Sequence, residues 1–470
     1  MPANSWPEND SYNEFDSFDS IFYDINEELE EEASNSMSLP SRFQKRRRKA
    51  ALVLTVVWSG TIALHLISWG SLFVLGLSTI IGIHALKIVF AKHKGYPEDI
   101  QGEWPYISLL VAAKNEEAVI SNLVKNLCDL EYPEDRYDVW IVDDNSTDKT
   151  PQLLANLSDE YHNLKVLRRD ALSSGGKSGA LNQVLPLCKG EIVAVFDADA
   201  QVPQDLLVRV IPLFQREKVG AVQVRKAIAN AQENFWTQGQ MMEMLADTYY
   251  QQQRTAIGGI GELRGNGQFV RREALFSCGG WNEETITDDL DLTFRLHLES
   301  WDIDCMFYPA VEEEGVTSAI ALWHQRSRWA EGGYQRFLDY WDFILKNRMG
   351  TRKTWDLFMW MIVMYILPTA LVPDLFMAIA RHRPPLLTPV SSLTVSMSMA
   401  GMVVGLKRIY KYKELKFQTY FLLLFQILRS SLYMLHWLFV MSSTTARMSV
   451  RPKRLKWVKT THQGSKIDDQ

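Results

Sequence analysis

Asp197 and Asp199, two aspartates one residue apart, follow the apolar run 192–196, which reads as a buried strand. Where such a strand ends the backbone turns to solvent, and two carboxylates there can hold one hard divalent cation against a substrate diphosphate. Mg2+ suits so sparse a set, because it keeps several waters and takes one or two protein carboxylates beside phosphate oxygens. Ordinary turn chemistry also places aspartates at strand ends, so the pair is informative only in company. Asp143 and Asp144 end a second apolar run, 138–142. There a carboxylate can accept hydrogen bonds from a nucleotide's base and ribose, or the stretch to Asp148 is a turn with Ser146 or Thr147 capping a helix. Asn115 and Glu116 follow a third run, 107–112, and serve the same subsite or cap the next helix. Thr287, Asp288 and Asp289 precede an apolar helical pattern at 292–298. They read either as a capping box or, for Asp289, as a general base, since an alcohol is a poor nucleophile until its proton is removed. Gln325, Arg328 and Trp329 combine a cation that can grip phosphate twice with an aromatic face; a surface helix with a tryptophan anchor is the plainer reading. Together the clusters imply a site that holds a nucleoside diphosphate through a metal and activates a hydroxyl beside it.

One more loop, residues 173–179, is Ser-Ser-Gly-Gly-Lys-Ser-Gly. It looks like part of a phosphate-binding ATPase loop, but Ala171 stands where the leading glycine is required, which excludes that class. Lys177, flanked by glycines ahead of a helix, remains a diphosphate contact through its charge and the helix N-terminus.

The elements that must position these residues run from Trp104 to about Trp329. Short apolar runs alternate with helical patterns at 117–130, 150–157 and 179–187. That alternation predicts an α/β domain with a doubly wound sheet, whose ligands lie beyond the carboxyl ends of the strands, where Asp143 and Asp197 fall.

Around this domain the sequence reads as membrane protein. Residues 50–91 are apolar enough for two helices that each cross the ~30 Å hydrocarbon layer, with a hairpin near Gly70 and Ser71. Arg42, Lys45, Arg46, Arg47, Arg48 and Lys49 precede them, and Lys87, Lys92, His93 and Lys94 follow, so both ends are predicted on the cytoplasmic side. Apolar stretches at 355–380, 386–406 and 417–441 predict two to three more spans, within 355–441. Arg429 in the last stretch is costly if it faces lipid and suggests a segment re-entrant or broken at that residue; three plain spans would leave the basic tail, 442–470, outside, against the charge rule. Residues 336–350 carry apolar side chains at helical spacing and predict a helix along the headgroups. Residues 235–250 are a second such candidate, equally readable as core.

The first 48 residues are an acidic leader with a basic end: residues 1–41 hold eleven Asp and Glu and no Lys or Arg, a composition that predicts disorder. The net charge of −6 argues against nucleic-acid binding. Four dispersed cysteines, with no Cys-x-x-Cys pair, indicate neither a zinc site nor a disulfide framework.

Taken together, Asn115-Glu116, Asp143-Asp144, Lys177, Asp197-x-Asp199, Thr287-Asp288-Asp289 and Gln325-x-x-Arg328-Trp329 resemble the membrane-bound family 2 glycosyltransferases over roughly residues 104–335. The usual Thr-Glu-Asp is Thr287-Asp288-Asp289 here, with the presumed base still in register. The resemblance implies a GT-A domain, Rossmann-like, inserted between transmembrane helices and working with inversion. It implies that Asp143 or Asp144 with Glu116 holds a uridine nucleotide, Asp197 contacts the nucleotide-sugar and Asp199 coordinates Mg2+ or Mn2+. Asp289 then deprotonates the acceptor, Asp288 lines the substrate site, Arg328 and Gln325 stabilise the departing diphosphate, and Trp329 is the acceptor platform. Across the whole chain the likeness is to members that take UDP-glucose as donor and diacylglycerol as acceptor at a lipid bilayer, plasma or thylakoid membrane. The rival within the family is a processive β-glycan synthase, which needs a polar, aromatic-lined tunnel that these mostly apolar spans do not offer. An inactive nucleotide-sugar-binding scaffold is the rival outside it.

Overall fold

In the computed structural model, residues 42–93, 95–97, 102–409 and 417–450 are described. The acidic leader 1–41, Lys94, most of the basic connection 407–416 and the tail from 451 lie outside the described residues.

The three apolar runs form adjacent parallel strands because each is buried on both faces. They are β1 (Ile107–Ala113), β2 (Tyr137–Asp143) and β4 (Ile192–Phe196), with β3 (Leu164–Arg168) beyond β2. Three more strands, β5 (Val219–Ile228), β6 (Gln268–Arg271) and β7 (Asp302–Glu313), complete a seven-stranded sheet of order β3-β2-β1-β4-β6-β5-β7. Only β6 runs antiparallel to its neighbours. Register matters for the site: Ala113 pairs with Asp143 and Val111 with Phe196, so β1, β2 and β4 end at one rim.

Two helices precede the sheet, α1 (Arg42–Leu66) and α2 (Gly70–Val89). Within the domain come α3 (Ile120–Cys128), α4 (Thr150–Glu160), α5 (Gly176–Val184), α6 (Leu206–Val210), α7 (Phe235–Ala256), α8 (Arg272–Ser277) and α9 (Asp288–Leu298). Leaving it are α10 (Ala319–Leu345), α11 (Thr351–Met361), α12 (Leu367–Ala380), α13 (Thr388–Ile409), α14 (Phe417–Met434) and α15 (His436–Val450). Separate apolar clusters cover the two faces of the sheet, one built around Leu109, Ile141 and Phe196, the other around Leu110, Val193 and Leu292.

Helix α7 starts at a capping box, Asn234 Oδ1 accepting from the Thr237 amide at 3.1 Å while Thr237 Oγ1 accepts from the Asn234 amide at 3.1 Å. It packs on β5 and β7 on one side and on α13 and α14 on the other. Met242 and Leu245 are fully buried there with Met402 and Leu406. Residues 235–250 are therefore the layer between sheet and membrane helices.

Five helical segments among the described residues are long and apolar enough to cross a membrane: Lys45–Leu66, Gly70–Val89, Thr351–Ala380, Thr388–Ile409 and Phe421–Val450. Three sequence expectations are corrected. Residues 336–350 do not begin a helix of their own: 336–345 are the last turns of α10, with Arg336, Phe337 and Leu338 buried. The final stretch is broken, but at Leu435, six residues beyond Arg429. Before the break α14 lies against α7 and α13; after it α15 packs among α1, α10 and α12. Arg429 is accommodated by the soluble domain, donating to Gln238 Oε1 at 2.5 Å with its guanidinium 5.2 Å from the Phe235 ring centre. Helix also continues through Val450, so the tail expected from 442 is structured for its first nine residues.

Candidate active site

The loops after β1 and β2 are laced together. The Asn115 amide donates to Ser146 Oγ at 2.9 Å, Asn115 Oδ1 accepts from the Thr147 amide at 2.8 Å, and the Glu116 amide donates to Thr150 Oγ1 at 2.8 Å. Asn115 and Asn145 both take positive φ, 54° and 57°, which tightens the two turns into one wall. Asp143 does the turn chemistry as well, its Oδ1 accepting from the Ser146 amide at 3.0 Å. Neither a Ser146 nor a Thr147 side chain caps α4. The Oδ2 atoms of Asp143 and Asp144 are buried without a hydrogen-bond partner among the described residues. Asp143 Oδ2 has Arg168 Nε as an ion-pair partner at 3.5 Å, and both oxygens retain acceptor capacity that a base and ribose with N–H and O–H donors would use.

Asp144 pairs with Arg169 at 2.5 Å, and burial pushes its carboxyl upward against the pull of that guanidinium. Arg169 reaches on to the carbonyls of Ser174, at 2.5 Å, and Gly176, at 3.2 Å. It thus ties the end of β3 to the start of α5, where Lys177 stands. Lys177 pairs with Asp197. Its ammonium would be disfavoured by burial, but Asp197, Asp288 and Asp289 outweigh that and hold it above its ordinary value.

The Asp197 amide donates to Asn266 Oδ1 at 3.2 Å, and Asp199 Oδ2 accepts from the Glu314 amide at 3.1 Å, fixing both ends of the Asp-x-Asp turn. Among the described residues no group of three or more His, Cys, Asp or Glu is spaced to hold a metal. The Asp-x-Asp pair is thus a sparse donor set, and Asp197 already attracts a cation, Lys177. Two carboxylates at the end of a strand are the donor type that a hard divalent ion takes when phosphate and water complete its shell. The residues fit such an ion.

Across the rim, Asp288 and Asp289 open α9. Thr287 precedes the helix without making a side-chain cap, so the capping-box alternative is not realised. Thr287 Oγ1 and Asp288 Oδ2 are buried without hydrogen-bond partners among the described residues. Asp289 Oδ1 accepts from the Leu290 amide at 2.8 Å. Burial, then Asp288 beside it, push the Asp289 carboxyl up to about 6, against the pull of Lys177 and Lys226. Arg328, on α10, is lowered to about 10 by burial while Asp197 and Asp289 pull it back. Asp197, Asp288, Asp289, Lys177 and Arg328 thus act on one another in a single cluster drawn from four stretches of chain. Gln325 Oε1 accepts from Arg326 Nη1 at 2.6 Å, and the Trp329 ring lies 5.1 Å from Lys226 Nζ.

Helix α10 reaches α9 because Gly332 allows it: a Cβ there would sit 2.2 Å from Thr287 Oγ1. Sequence reasoning missed this glycine, and it missed Arg169, Lys226, Glu313 and Asn266. Lys226 pairs with Glu313 at 3.0 Å, and Glu313 Oε2 accepts from Asn266 Nδ2 at 3.4 Å, a chain leading from Trp329 back to the Asp197 amide. The only advance signal was Gly265-Asn266-Gly267, a polar residue between glycines.

Residues 105–332 match the sequence family described as "Glycosyltransferase like family 2". A protein of Nostoc sp. named beta-monoglucosyldiacylglycerol synthase is 71% identical over 466 residues, covering 99% of this chain and 100% of the relative. The chain belongs to the family 2 glycosyltransferases. A second family member of the same name, from Synechocystis sp., is 52% identical over 477 residues, covering 100% of this chain and 98% of the relative. Among solved structures, a mannosyltransferase from Pyrobaculum calidifontis in complex with GDP-Man and Mn2+ superposes with a TM-score of 0.52 at 19% identity. It covers 78% of this chain and 100% of its own, and at that identity it shows the fold, GT-A.

Proposed function

We propose that this protein transfers glucose from UDP-glucose to the 3-hydroxyl of 1,2-diacylglycerol with inversion, giving β-monoglucosyldiacylglycerol for membrane glycolipid synthesis. The observation that carries the chemistry is the cluster itself: one carboxyl raised to about 6 beside Lys177 and Arg328, across from an Asp-x-Asp turn. The names of two full-length relatives support the lipid acceptor.

The Asp143 and Asp144 Oδ2 atoms, buried without a hydrogen-bond partner among the described residues, receive the uridine, with Asn115 and Glu116 behind them. Asp197 and Asp199 would hold Mg2+ or Mn2+, which when bound would neutralise charge on the diphosphate. Lys177 and Arg328 face the same oxygens as charge builds on the leaving group; fixed cations in a half-dry site stabilise that charge without reorganising. Gln325 assists beside Arg328. Asp289 takes the proton of the acceptor hydroxyl, which attacks the anomeric carbon from the opposite side, and Asp288 keeps that base poised by raising it. Trp329 supports the acceptor. The catalytic domain works on the cytoplasmic side, where the basic residues of α1 and α2 gather, facing a diacylglycerol in the adjoining leaflet.

The test uses full-length protein in vesicles containing diacylglycerol, labelled UDP-glucose and Mg2+ or Mn2+. Label entering organic solvent as a single glucosyl lipid, abolished by chelation and restored by metal, is the expected result. Label retained as insoluble polymer would overturn the assignment in favour of a glycan synthase.

A further inference from the structure

The residue between Gln325 and Arg328 that no role has absorbed is Arg326. Its guanidinium is completely buried, yet it touches two of the three motif residues given roles at the substrate, Gln325 and Trp329. Arg326 Nη1 donates to Gln325 Oε1 at 2.6 Å, and its guanidinium carbon lies 4.0 Å from the Trp329 ring centre. Such stacking holds an aromatic plane in one orientation.

What fixes Arg326 comes from outside α10. Arg326 Nη2 donates to Glu243 Oε2 of α7 at 2.7 Å. Burial alone pushes the Glu243 carboxyl up, but Arg326, His436 and the Tyr433 hydrogen bond together leave the group below its ordinary value, so the pair is ionised. Glu243 then spends its remaining acceptors on the last membrane segment. Tyr433 Oη donates to Oε2 at 2.7 Å and Trp437 Nε1 donates to Oε1 at 2.7 Å. These two residues flank the helix break at Leu435, one on α14 and one on α15. The approach is built in: Tyr433 packs flat on α7 at Gly239, where a Cβ would lie 2.3 Å from the ring.

We infer that Arg326 is a positioning residue, clamped by Glu243 to the broken membrane segment, and that this clamp sets the placement of Trp329 and Gln325 against the acceptor. The inference deepens the proposed reaction and rests on it. The pair is buried and both Nη atoms of Arg326 are bonded, while its Nε has no hydrogen-bond partner among the described residues. Held through those two nitrogens, it passes the seat of Tyr433 and Trp437 to the platform through three successive contacts, to Glu243, to Arg326 and to Trp329. Stability alone would not need this arrangement, because buried ion pairs are often replaceable by apolar packing without loss.

The experiment is a double-mutant cycle in full-length protein, reading kcat, KM for UDP-glucose and glucosyl lipid formed. Arg326→Lys keeps the charge opposite Glu243 but loses the flat face and the Gln325 bond. We expect kcat about tenfold lower, roughly one positioning interaction, with KM for UDP-glucose within about twofold. Added to Trp329→Ala, it should cost less than about a further twofold, because both changes remove one thing. Losses that multiply, or a UDP-glucose KM that rises as kcat falls, would overturn the inference. Should Arg326→Lys fail to accumulate, Tyr433→Phe and Gly239→Ala decide it. Each leaves the ion pair and should lower kcat about threefold at unchanged KM; wild-type kcat in both would sink the clamp. Absence of glucosyl lipid from the wild-type protein counts against the reaction itself, whereas product from the wild type with multiplicative variants counts against Arg326 alone.

Discussion

Asp289 is the residue whose environment says most about its work. A carboxylate of ordinary acidity is a feeble base at neutral pH, and raising it towards the working pH is how a base is made effective. Here burial and Asp288 raise it to about 6, while Lys177 and Lys226 stop it going higher. Asp289→Asn keeps the shape and removes the base, so kcat should fall by roughly 10²–10⁴-fold. KM for UDP-glucose should stay within about threefold, because in the proposed site Asp143, Asp144 and the Asp-x-Asp turn, not Asp289, hold the donor. Titration calorimetry with UDP on the same variant separates binding from chemistry, and turnover near wild type would exclude Asp289 as base. The sign of the pH effect follows. The base works only when deprotonated, so kcat/KM of the wild type should rise with pH, reach half its plateau near 6 and flatten above. Initial rates across roughly pH 5 to 8 test this; a profile already flat at the acid end would mean a carboxyl of ordinary acidity.

At the scale of elements, the decisive contact is between α10, which carries Arg328 and Trp329, and the start of α9, which carries the proposed base, Asp289. Gly332 sets that distance. Gly332→Ala would bring a Cβ to 2.2 Å from Thr287 Oγ1 and 2.5 Å from Thr287 Cγ2. Relief requires α9 and α10 to separate, at about 1–3 kcal/mol of overpacking and with a larger proportional loss of kcat than of donor binding. Thr287→Ala in the same chain removes the two nearest obstructing atoms and leaves only Thr287 Cβ, at 2.8 Å, and since Thr287 Oγ1 has no hydrogen-bond partner among the described residues it gives up little. Activity restored in part in the double variant, measured beside thermal unfolding of each, is the expected outcome; no restoration would place the fault elsewhere. This spacing was invisible in the sequence, where Gly332-Gly333 reads as a weak spot in a helix. The strands were legible because runs such as 107–112 and 192–196 are apolar on both faces, and their ends announced Asp143 and Asp197. The grouping of Asp289 with Arg328 came from the chemistry of the clusters and from motif resemblance, since nothing periodic links residues on different helices. The break at Leu435 was misread as Arg429 because a charge in an apolar run looks like the interruption. Its partner, Gln238, lies 191 residues away, and no local pattern reports a contact at that range.

At the scale of the molecule, the membrane segments are part of the catalytic fold as well as its anchor. Helix α7 is covered on one side by the sheet and on the other by α13 and α14, so Met242 and Leu245 owe their burial to both. Arg254, at the end of α7, donates to Asp356 Oδ2 of α11 at 2.9 Å and is almost wholly buried there. A chain ending at residue 350 keeps every side chain assigned to catalysis but uncovers that face of α7. Each apolar side chain returned to water forfeits about 1.5–3 kcal/mol, and a buried charge stripped of its partner about 3–5 kcal/mol. Against a total stability of about 5–15 kcal/mol, those losses are enough to unfold the domain. The truncated protein is therefore expected to aggregate without detergent and to release no UDP from UDP-glucose, with or without diacylglycerol. Size-exclusion chromatography and a UDP-release assay check it. A soluble monomer that hydrolysed UDP-glucose at the full-length rate would reduce the membrane helices to tethers, and with them the clamp through Tyr433 and Trp437.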